Sequence, residues 1–213
     1  MKLVNATFEI LSPIDGEDIL GRIELAARTC YKSEDKITEG SARGMAAVLL
    51  KSGHHSVLEH VSLTVRFICD RGVSHELVRH RLAAYSQEST RYANYAKDKF
   101  GNEITVIRPF FWEEGSDRYR LWHEAMLAAE KAYLALITAG AQAQEARSVL
   151  PNSLKTEVVM TCNLREWRHV LNLRCSPAAH PQIREIMRPL LFELHRRIPV
   201  FFDDLFERFG SDC

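Results

Sequence analysis

Residues 79–92 read Arg79-His80-Arg81-Leu82-Ala83-Ala84-Tyr85-Ser86-Gln87-Glu88-Ser89-Thr90-Arg91-Tyr92, with three arginines and a histidine against a single acid. Arginine presents a planar fork of donors that suits phosphate, and a charge-assisted hydrogen bond of this kind contributes about 1.5–3 kcal/mol. The composition therefore indicates a segment that binds an anion. For an isolated Arg-His-Arg, a solvated basic helix end is the plain alternative.

The spacing within this segment resembles the signature of the flavin-dependent thymidylate synthases. Arg-His-Arg is followed by seven residues, then by Ser89, and Arg91 stands two positions further on. Further similar stretches extend from about residue 53 to residue 184. The resemblance implies an enzyme that converts dUMP to dTMP, with FAD as cofactor, NADPH as reductant and methylenetetrahydrofolate as carbon donor. It also implies an α+β fold of the thymidylate synthase-complementing-protein type, with a twisted, mainly antiparallel sheet and flanking helices, and a homotetramer with shared active sites.

Length and composition predict one soluble globular domain spanning residues 1–213, with 46% hydrophobic and 26% charged residues. Lysine plus arginine equals aspartate plus glutamate at 28 each, so no bulk basic field is available to hold nucleic acid. No run of about 18 apolar residues and no basic-then-apolar leader stands out. We expect a cytoplasmic protein with no membrane or nucleic-acid partner.

The five cysteines are odd in number and widely spaced, with no Cys-x-x-Cys pair to suggest zinc or a redox couple. They are Cys30, Cys69, Cys162, Cys175 and Cys213. We expect reduced thiols that act as small hydrophobic residues rather than nucleophiles.

Hydrophobic periodicity predicts the elements of the first half of the chain. A strand is expected over residues 2–10, a helix over 19–30, and a second helix that Ser41 caps and Gly53 ends. Strict alternation predicts a strand over 61–69. Ser74 is expected to cap a helix that runs to Tyr85 and carries Arg79 and His80 on one face.

The second half of the chain is predicted in the same way. A strand over 104–107 precedes a long helix from Ser116 to Gly140, whose apolar stripe is core or a subunit interface. A short helix containing Arg147 ends near Pro151, and a strand over 154–162 leads into an amphipathic helix over 164–174. Residues 182–208 are expected to be helical, with a kink at Pro189.

Residues 53–60, Gly53-His54-His55-Ser56-Val57-Leu58-Glu59-His60, hold three histidines and an acid, which by composition could bind a metal. The spacing is not the His-Glu-x-x-His of a zinc hydrolase, and ordinary helix-end histidines are the alternative. The segment also resembles the family's Gly-His-x-Ser/Thr-x-x-Glu-His element. That resemblance implies that His54 and Ser56 lie near the flavin and that no metal is needed.

Residues 163–174 could be an amphipathic helix with solvated arginines, but their spacing resembles the family's flavin and nucleotide contacts. The resemblance assigns flavin contacts to His54, Ser56, Arg79, His80, Arg81, Gln87, Asn163, Leu164, Arg165 and His169. It assigns dUMP contacts to Glu76, Leu77, Val78, Arg79, Gln87, Glu88, Ser89, Thr90, Arg91, Arg147 and Arg174. Glu76 departs from the glutamine often found in the family, and its charge would repel a phosphate.

Methylation at C5 of uracil requires an electron-rich ring, and the usual thymidylate synthase achieves this with a cysteine nucleophile. In this chain a serine, Ser89, stands in the signature instead. An unassisted serine hydroxyl is a poor nucleophile, so Ser89 is interpreted as a binding and orienting group. A guanidinium at the O2/N3 edge would instead stabilise the anionic form of the uracil, and the resemblance gives that catalytic role to Arg174.

Two other functions remain open on the sequence alone. One is a flavin- or nucleotide-binding regulatory module of the same fold without turnover. The other is an RNA-binding protein that uses the arginines of residues 79–91, although the neutral net charge argues against it.

Overall fold

The computed structural model describes residues 1–210, and the chain forms two compact units. The first unit comprises Met1–Thr7, Phe67–Arg79 and Tyr85–Val159. The second comprises Phe8–Arg66, His80–Ala84 and the chain from Met160 onward. The predicted α+β class with an antiparallel sheet is confirmed. That residues 1–213 form one domain stays a prediction.

Within residues 1–210, six strands form two sheets. They are β1 Lys2–Val4, β2 Thr7–Ile10, β3 Ser62–Asp70, β4 Ala83–Gln87, β5 Thr105–Ile107 and β6 Lys155–Asn163. The larger sheet has the order β2-β3-β6-β4, and β1 pairs with β5 in parallel, with Leu3 opposite Val106. Alternate residues of β3 and β6 are buried, as a period of two predicts.

Eight α-helices complete the described residues. They are α1 Gly16–Tyr31, α2 Ser41–Lys51, α3 Arg71–Leu77, α4 Asp117–Thr138, α5 Ala143–Ala146, α6 Leu164–Arg174, α7 Pro181–Arg197 and α8 Asp203–Phe209. Short 3-10 helices cover Glu34–Lys36, His55–His60, Asp98–Phe100, Arg147–Val149 and Pro199–Phe201. Within residues 1–210, no helix is both long and apolar enough to cross a bilayer.

The core of the second unit forms around α6, which packs against the 55–60 segment and α7. Trp167 of α6 is fully buried, and its indole Nε1 donates a hydrogen bond to the Leu63 carbonyl at 3.1 Å. Leu164 and Leu171 are buried on the same helix, as the amphipathic pattern predicted. The polar residues between them are thereby held on a rigid helix.

The core of the first unit is built on α4, which begins after its cap Ser116, as predicted. Met126 and Tyr133 are buried and belong to a cluster with Tyr95, Ile104 and other apolar residues. The rest of the predicted stripe does not all share this burial, since Leu121 and Leu136 are exposed.

The helix predicted from Ser74 to Tyr85 is wrong at both ends. Asp70 caps α3, and its carboxylate accepts the Val73 N–H at 2.6 Å, so the helix begins at Arg71. It ends at Leu77, and residues 83–87 form β4 instead. Sheet pairing beside β6 overrides the helix propensity of the alanines there.

The other expected boundaries shift by smaller amounts. Residues 2–10 form two strands rather than one, and Gly40 rather than Ser41 is the N-cap of α2, with a φ of 79°. Residues 182–208 are not one helix, because α7 ends at Arg197 and α8 begins at Asp203. Pro199 lacks an N–H and disfavours helical backbone at the residue before it.

Candidate active site

The start of α6 positions several of the predicted flavin residues. Asn163 caps the helix, and its Oδ1 accepts the Glu166 N–H at 2.9 Å. Arg165 and His169 are exposed one turn apart, whereas the Leu164 side chain is fully buried. A contact between Leu164 and a ligand would therefore involve its backbone.

Two cavities of the second unit share Arg165. The histidine cavity, of about 400 Å³, is lined by Cys30, Tyr31, His54, His55, Ser56 and Arg165, among others. The α6 cavity, of about 510 Å³, is lined by Glu59, Leu82, Asn163, Arg165, Glu166 and His169. The structure thus brings together five predicted flavin residues, which are His54, Ser56, Asn163, Arg165 and His169.

Arg165 is held at the junction by an ion pair, with its Nη1 2.6 Å from Glu59 Oε1. Both side chains are about half exposed, so the pair contributes little to stability. The guanidinium remains accessible from both cavities. It is one of the groups that the resemblance assigns to the flavin.

A buried cluster lies behind the α6 cavity. His80 is 5% exposed, and its Nε2 accepts a hydrogen bond from Arg174 Nε at 3.0 Å. Its Nδ1 lies 3.5 Å from Oε1 of Glu166, and its ring meets that of His169 edge-on at 5.8 Å. Burial, and then the charges of Arg174 and His169, lower the pKa of His80 to about 4, so the ring is neutral at pH 7.

His80, Glu166 and His169 also have the spacing of a metal site, with their ligand atoms within 4.8 Å of one another. Within residues 1–210, these three side chains form a group that lies close enough together to hold a metal ion. The Arg174 guanidinium opposes such a site, because its hydrogen bond to His80 Nε2 places a positive charge beside the imidazole that would bind the ion.

The two arginines that flank His80 are exposed. Arg79 follows α3 in the first unit, and Arg81 lies in the second unit beside Leu82, which is 75% exposed and lines the α6 cavity. Both arginines are accessible to an anion, but the cavity linings do not include them.

Arg174 itself lines another cavity of the second unit, the Arg174 cavity, of about 550 Å³. Its other lining residues are Asn172, Leu173, Ser176, Ala178, Ala179, Arg208 and Phe209. Arg208 donates from Nη1 to Asn172 Oδ1 at 2.8 Å. Arg174 therefore has a buried side, where His80 lies, and an open side toward this cavity.

In the first unit, three predicted nucleotide residues meet in the strand cavity, of about 560 Å³. Gln87, Glu88 and Ser89 line it with Ser86, Tyr92, Ala93, Lys99, Phe100, Lys155, Glu157 and Val159. The Gln87 Nε2 group donates to Ser74 Oγ at 2.9 Å and to Thr156 Oγ1 at 3.3 Å. Buried hydroxyls thereby fix the orientation of Gln87.

Lys155 is the cationic centre of the strand cavity. Its Nζ lies 2.6 Å from Glu157 Oε1 and 3.1 Å from Glu88 Oε2. Burial opposes the charged form, but the hydrogen bonds and charges of the two glutamates outweigh it and raise the pKa of Lys155. Glu88 is therefore paired with Lys155 inside the protein.

The remaining predicted nucleotide residues fall into two groups in the first unit. Thr90 is buried, and Arg147 Nη1 donates to its Oγ1 at 3.4 Å, so two of the predicted nucleotide residues contact each other. Arg91 lies over the Tyr92 ring at 5.4 Å, and its N–H donates to Ser89 Oγ at 3.3 Å. Two arginines therefore contact neighbouring residues of the 89–92 stretch.

The second group is the last turn of α3 and the two residues after it. Leu77 has a fully buried side chain, and its carbonyl accepts from Tyr85 Oη at 2.7 Å, so a ligand could meet only its backbone. Val78 and Arg79 are exposed, and Glu76 is half-buried.

The buried cysteines do not supply the nucleophile that the signature lacks. Cys30, Cys69, Cys162 and Cys175 are free thiols, as expected, and Cys213 lies outside the described residues. Burial raises the pKa of Cys69 to about 12 and also raises that of Cys162. Buried thiols of this kind are inert.

Sequence reasoning missed three side chains of these sites, Glu59, Lys155 and Glu166. Glu166 is polar on the apolar face of α6, and a buried acid within an amphipathic pattern is a signal of a partner. Lys155 and Glu157 are two positions apart and so lie on the same face of β6, which could have indicated that they share a cavity.

The exposed donors suit a large anionic ligand with planar rings. Guanidinium, imidazole, amide and hydroxyl groups line two cavities that share Arg165, and lysine, amide and hydroxyl groups line the strand cavity in the other unit. The fold is of the α+β class, and the donors of these cavities are of the kind that suits a nucleotide.

Comparison with known proteins identifies the family. The sequence model described as "Thy1: Thymidylate synthase complementing protein" matches residues 14–200. A flavin-dependent thymidylate synthase of Geobacter sulfurreducens is 35% identical over 189 residues, which cover 85% of this chain and 80% of that protein. One from Pyrococcus abyssi is 34% identical over 167 residues, which cover 78% and 68%.

A solved structure agrees. The UMP/dUMP methylase PolB of Streptomyces cacaoi, bound with 5-Br dUMP, matches with a TM-score of 0.78 and 26% identity, over 99% of this chain and 98% of that one. The chain belongs to the thymidylate synthase complementing protein family. The predicted enzyme class, a flavin-dependent thymidylate synthase, and the predicted FAD cofactor are thereby confirmed.

Proposed function

We propose that this enzyme methylates dUMP reductively to dTMP, with the carbon taken from methylenetetrahydrofolate and the electrons taken from NADPH through FAD. The observation that carries the proposal is the meeting of predicted flavin residues in two cavities that share Arg165. Family membership supports the flavin and the nucleotide. The folate and the reductant follow from the resemblance of the signature.

The donor set fits FAD. Arg165 offers a fork to a diphosphate, Asn163 and Ser56 offer hydrogen bonds, and the imidazoles of His54 and His169 offer flat faces to a ring. FAD supplies hydride chemistry when bound. The chain's part is to bind and orient it, with Arg79, Arg81 and Gln87 as further proposed contacts.

The dUMP contacts are proposed in the first unit around the strand cavity. Ser89, Thr90 and Arg91 would hold the phosphate with Arg147, and Gln87 is already oriented for a hydrogen bond. Arg174 is proposed for the base on the resemblance of the sequence. Glu88 is paired with Lys155 and would act indirectly, by keeping that lysine charged.

Arg174 is the proposed catalytic residue. Its guanidinium would face the O2/N3 edge of uracil and stabilise the negative charge that develops there, which raises electron density at C5. The contact with His80 uses Nε and fixes the plane of the guanidinium. Electrostatic activation of this kind needs no covalent nucleophile, and Ser89 orients the nucleotide instead.

Assembly and location are also proposals. We propose a homotetramer in the cytoplasm, with active sites shared between copies. An interface on α4 would cover its exposed leucines, which are Leu121, Leu127 and Leu136. Light scattering on the purified protein at several concentrations would measure the assembly.

The test of the proposed reaction is direct formation of dTMP. Purified protein is incubated with dUMP, methylenetetrahydrofolate, NADPH and FAD, and dTMP is quantified by chromatography, with UMP in a parallel reaction. We expect dTMP from the wild type and from Arg22→Ala, whose arginine pairs with Asp18 on the surface of α1. Arg174→Ala should form little or none. A folded, yellow wild type that makes no dTMP would leave a binding module.

A further inference from the structure

Glu166 is an acid buried where an acid is costly. It is 7% exposed in α6, and an isolated ionised carboxylate at such a position is strongly unfavourable. Its Oε1 lies 3.5 Å from His80 Nδ1, and His80 is itself 5% exposed. The two side chains therefore face each other in the interior of the second unit.

The other nitrogen of His80 determines where the ring proton resides. Nε2 accepts the Arg174 Nε–H at 3.0 Å, and a ring nitrogen accepts only when it carries no proton. The neutral ring must then carry its proton on Nδ1, the nitrogen that faces the Glu166 carboxylate. This tautomer follows from the hydrogen-bond network.

We propose that Glu166 is a positioning residue, which holds His80 in its Nδ1–H tautomer and through it fixes the orientation of the Arg174 guanidinium. The inference rests on the proposed catalytic role of Arg174. A carboxylate can only accept, so it selects the tautomer with the proton on the near nitrogen. The far nitrogen then always presents a lone pair to Arg174.

The alternative tautomer shows what Glu166 prevents. With the proton on Nε2, two N–H groups would face each other at 3.0 Å, and Arg174 Nε would lose its acceptor. The guanidinium would then turn away from its present orientation. Glu166 and Arg174 both belong to α6, so the helix fixes their backbones and His80 links their side chains.

Variants of Glu166 separate positioning from general stability. Glu166→Ala removes the acceptor. Glu166→Gln keeps the volume, but it can present either an oxygen or an NH2 group to His80. The matched control is Glu24→Gln, because Glu24 is also buried, at 2% exposure, and pairs with Arg28 and Ser41 between α1 and α2.

The first readout is the tautomer of His80 itself. Nitrogen-15 shifts of the histidine rings, assigned with a His80→Asn variant, report which ring nitrogen carries the proton. We expect the Nδ1–H form in the wild type and in Glu24→Gln, and a mixture of the two forms or the Nε2–H form in Glu166→Ala. This measurement needs no turnover, so it decides the inference even if the proposed reaction is absent.

The second readout is dTMP formation with the kinetic constants separated. Loss of one oriented charge-assisted hydrogen bond corresponds to roughly a 10- to 100-fold decrease in kcat. The KM for dUMP should change much less, because the orientation of Arg174 matters most as charge develops. Glu166→Gln should fall between the wild type and Glu166→Ala, and Glu24→Gln should keep the wild-type kcat.

Two results would overturn the inference. One is an unchanged His80 tautomer in both Glu166 variants. The other is a kcat in the folded Glu166→Gln and Glu166→Ala proteins equal to that of Glu24→Gln. If Glu166→Ala does not fold, Glu166→Gln alone carries both readouts. A wild type with the Nδ1–H tautomer but without dTMP would refute the proposed reaction and leave the His80 geometry intact.

Discussion

Replacing Arg165 by alanine should weaken FAD binding strongly and change the stability of the protein little. The ion pair with Glu59 joins side chains that are 55% and 46% exposed, and such pairs contribute about 0–1 kcal/mol to folding. The same guanidinium lines both the histidine cavity and the α6 cavity, where FAD is proposed to bind. One lost charge-assisted hydrogen bond to a phosphate, about 1.5–3 kcal/mol, raises the Kd for FAD roughly 10- to 150-fold.

The assay is a fluorescence titration of FAD into apoprotein, with the free energy of unfolding measured by urea in the absence of FAD. Arg22→Ala is the matched control, since it removes an exposed arginine with one ion pair from the same unit. A Kd for FAD in Arg165→Ala within twofold of that of Arg22→Ala would refute the reasoning. So would a loss of stability large enough to explain the weaker binding.

Three further outcomes are expected. Asp70→Ala should lower the free energy of unfolding in urea by about 1–2 kcal/mol, because the cap on Val73 N–H is lost; Asp70→Ser should retain most of it, and equal losses would contradict the capping role. Burial and the neighbouring charges lower the pKa of His80 to about 4, so the native protein protonates His80 at a lower pH than the unfolded chain does. The contribution of His80 to the free energy of unfolding should therefore be complete above pH 6.5 and be lost as the pH falls toward 4. The free energy of unfolding in urea should fall less over this range in His80→Asn than in the control His75→Asn. An equal fall in the two variants would refute this. Ser89→Ala should lower but not abolish dTMP formation, and a complete loss in a folded variant that still binds dUMP would indicate covalent attack.

The strands were predictable because burial on one face imposes a period of two. In β3 and β6 every second residue is buried, and the alternation of Leu63, Val65 and Phe67 was visible in the sequence. The helices α1, α4 and α6 were equally clear, with Ser116 and Asn163 as caps.

The segment after β3 was not predictable in detail, because two local signals compete there. Asp70 and Ser74 are both good caps, and Asp70 takes the role by accepting from Val73. Ala83 and Ala84 favour a helix, yet residues 83–87 form an edge of the larger sheet. Pairing between distant segments decides such cases, and local propensity does not contain it.

The resemblance pointed to residues such as His54, Asn163 and His169, which the structure places in cavities that share Arg165, whereas the side chains that pair with such residues carried no signal. Sequence spacing indicated His80 and Arg174 separately, but their direct contact joins residues far apart in the chain. Glu166, which faces His80 from the buried side of α6, carried no motif. Long-range side-chain contacts of this kind depend on the packing of α6 against its neighbours.

The most direct test of the account is one turnover followed on the flavin. FAD-loaded protein is reduced with NADPH without oxygen, excess reductant is removed, and dUMP with methylenetetrahydrofolate is then added. We predict that the oxidised flavin absorbance returns and that about one dTMP forms per flavin reoxidised. Flavin that stays reduced after both substrates are added, with no dTMP formed, would contradict the account.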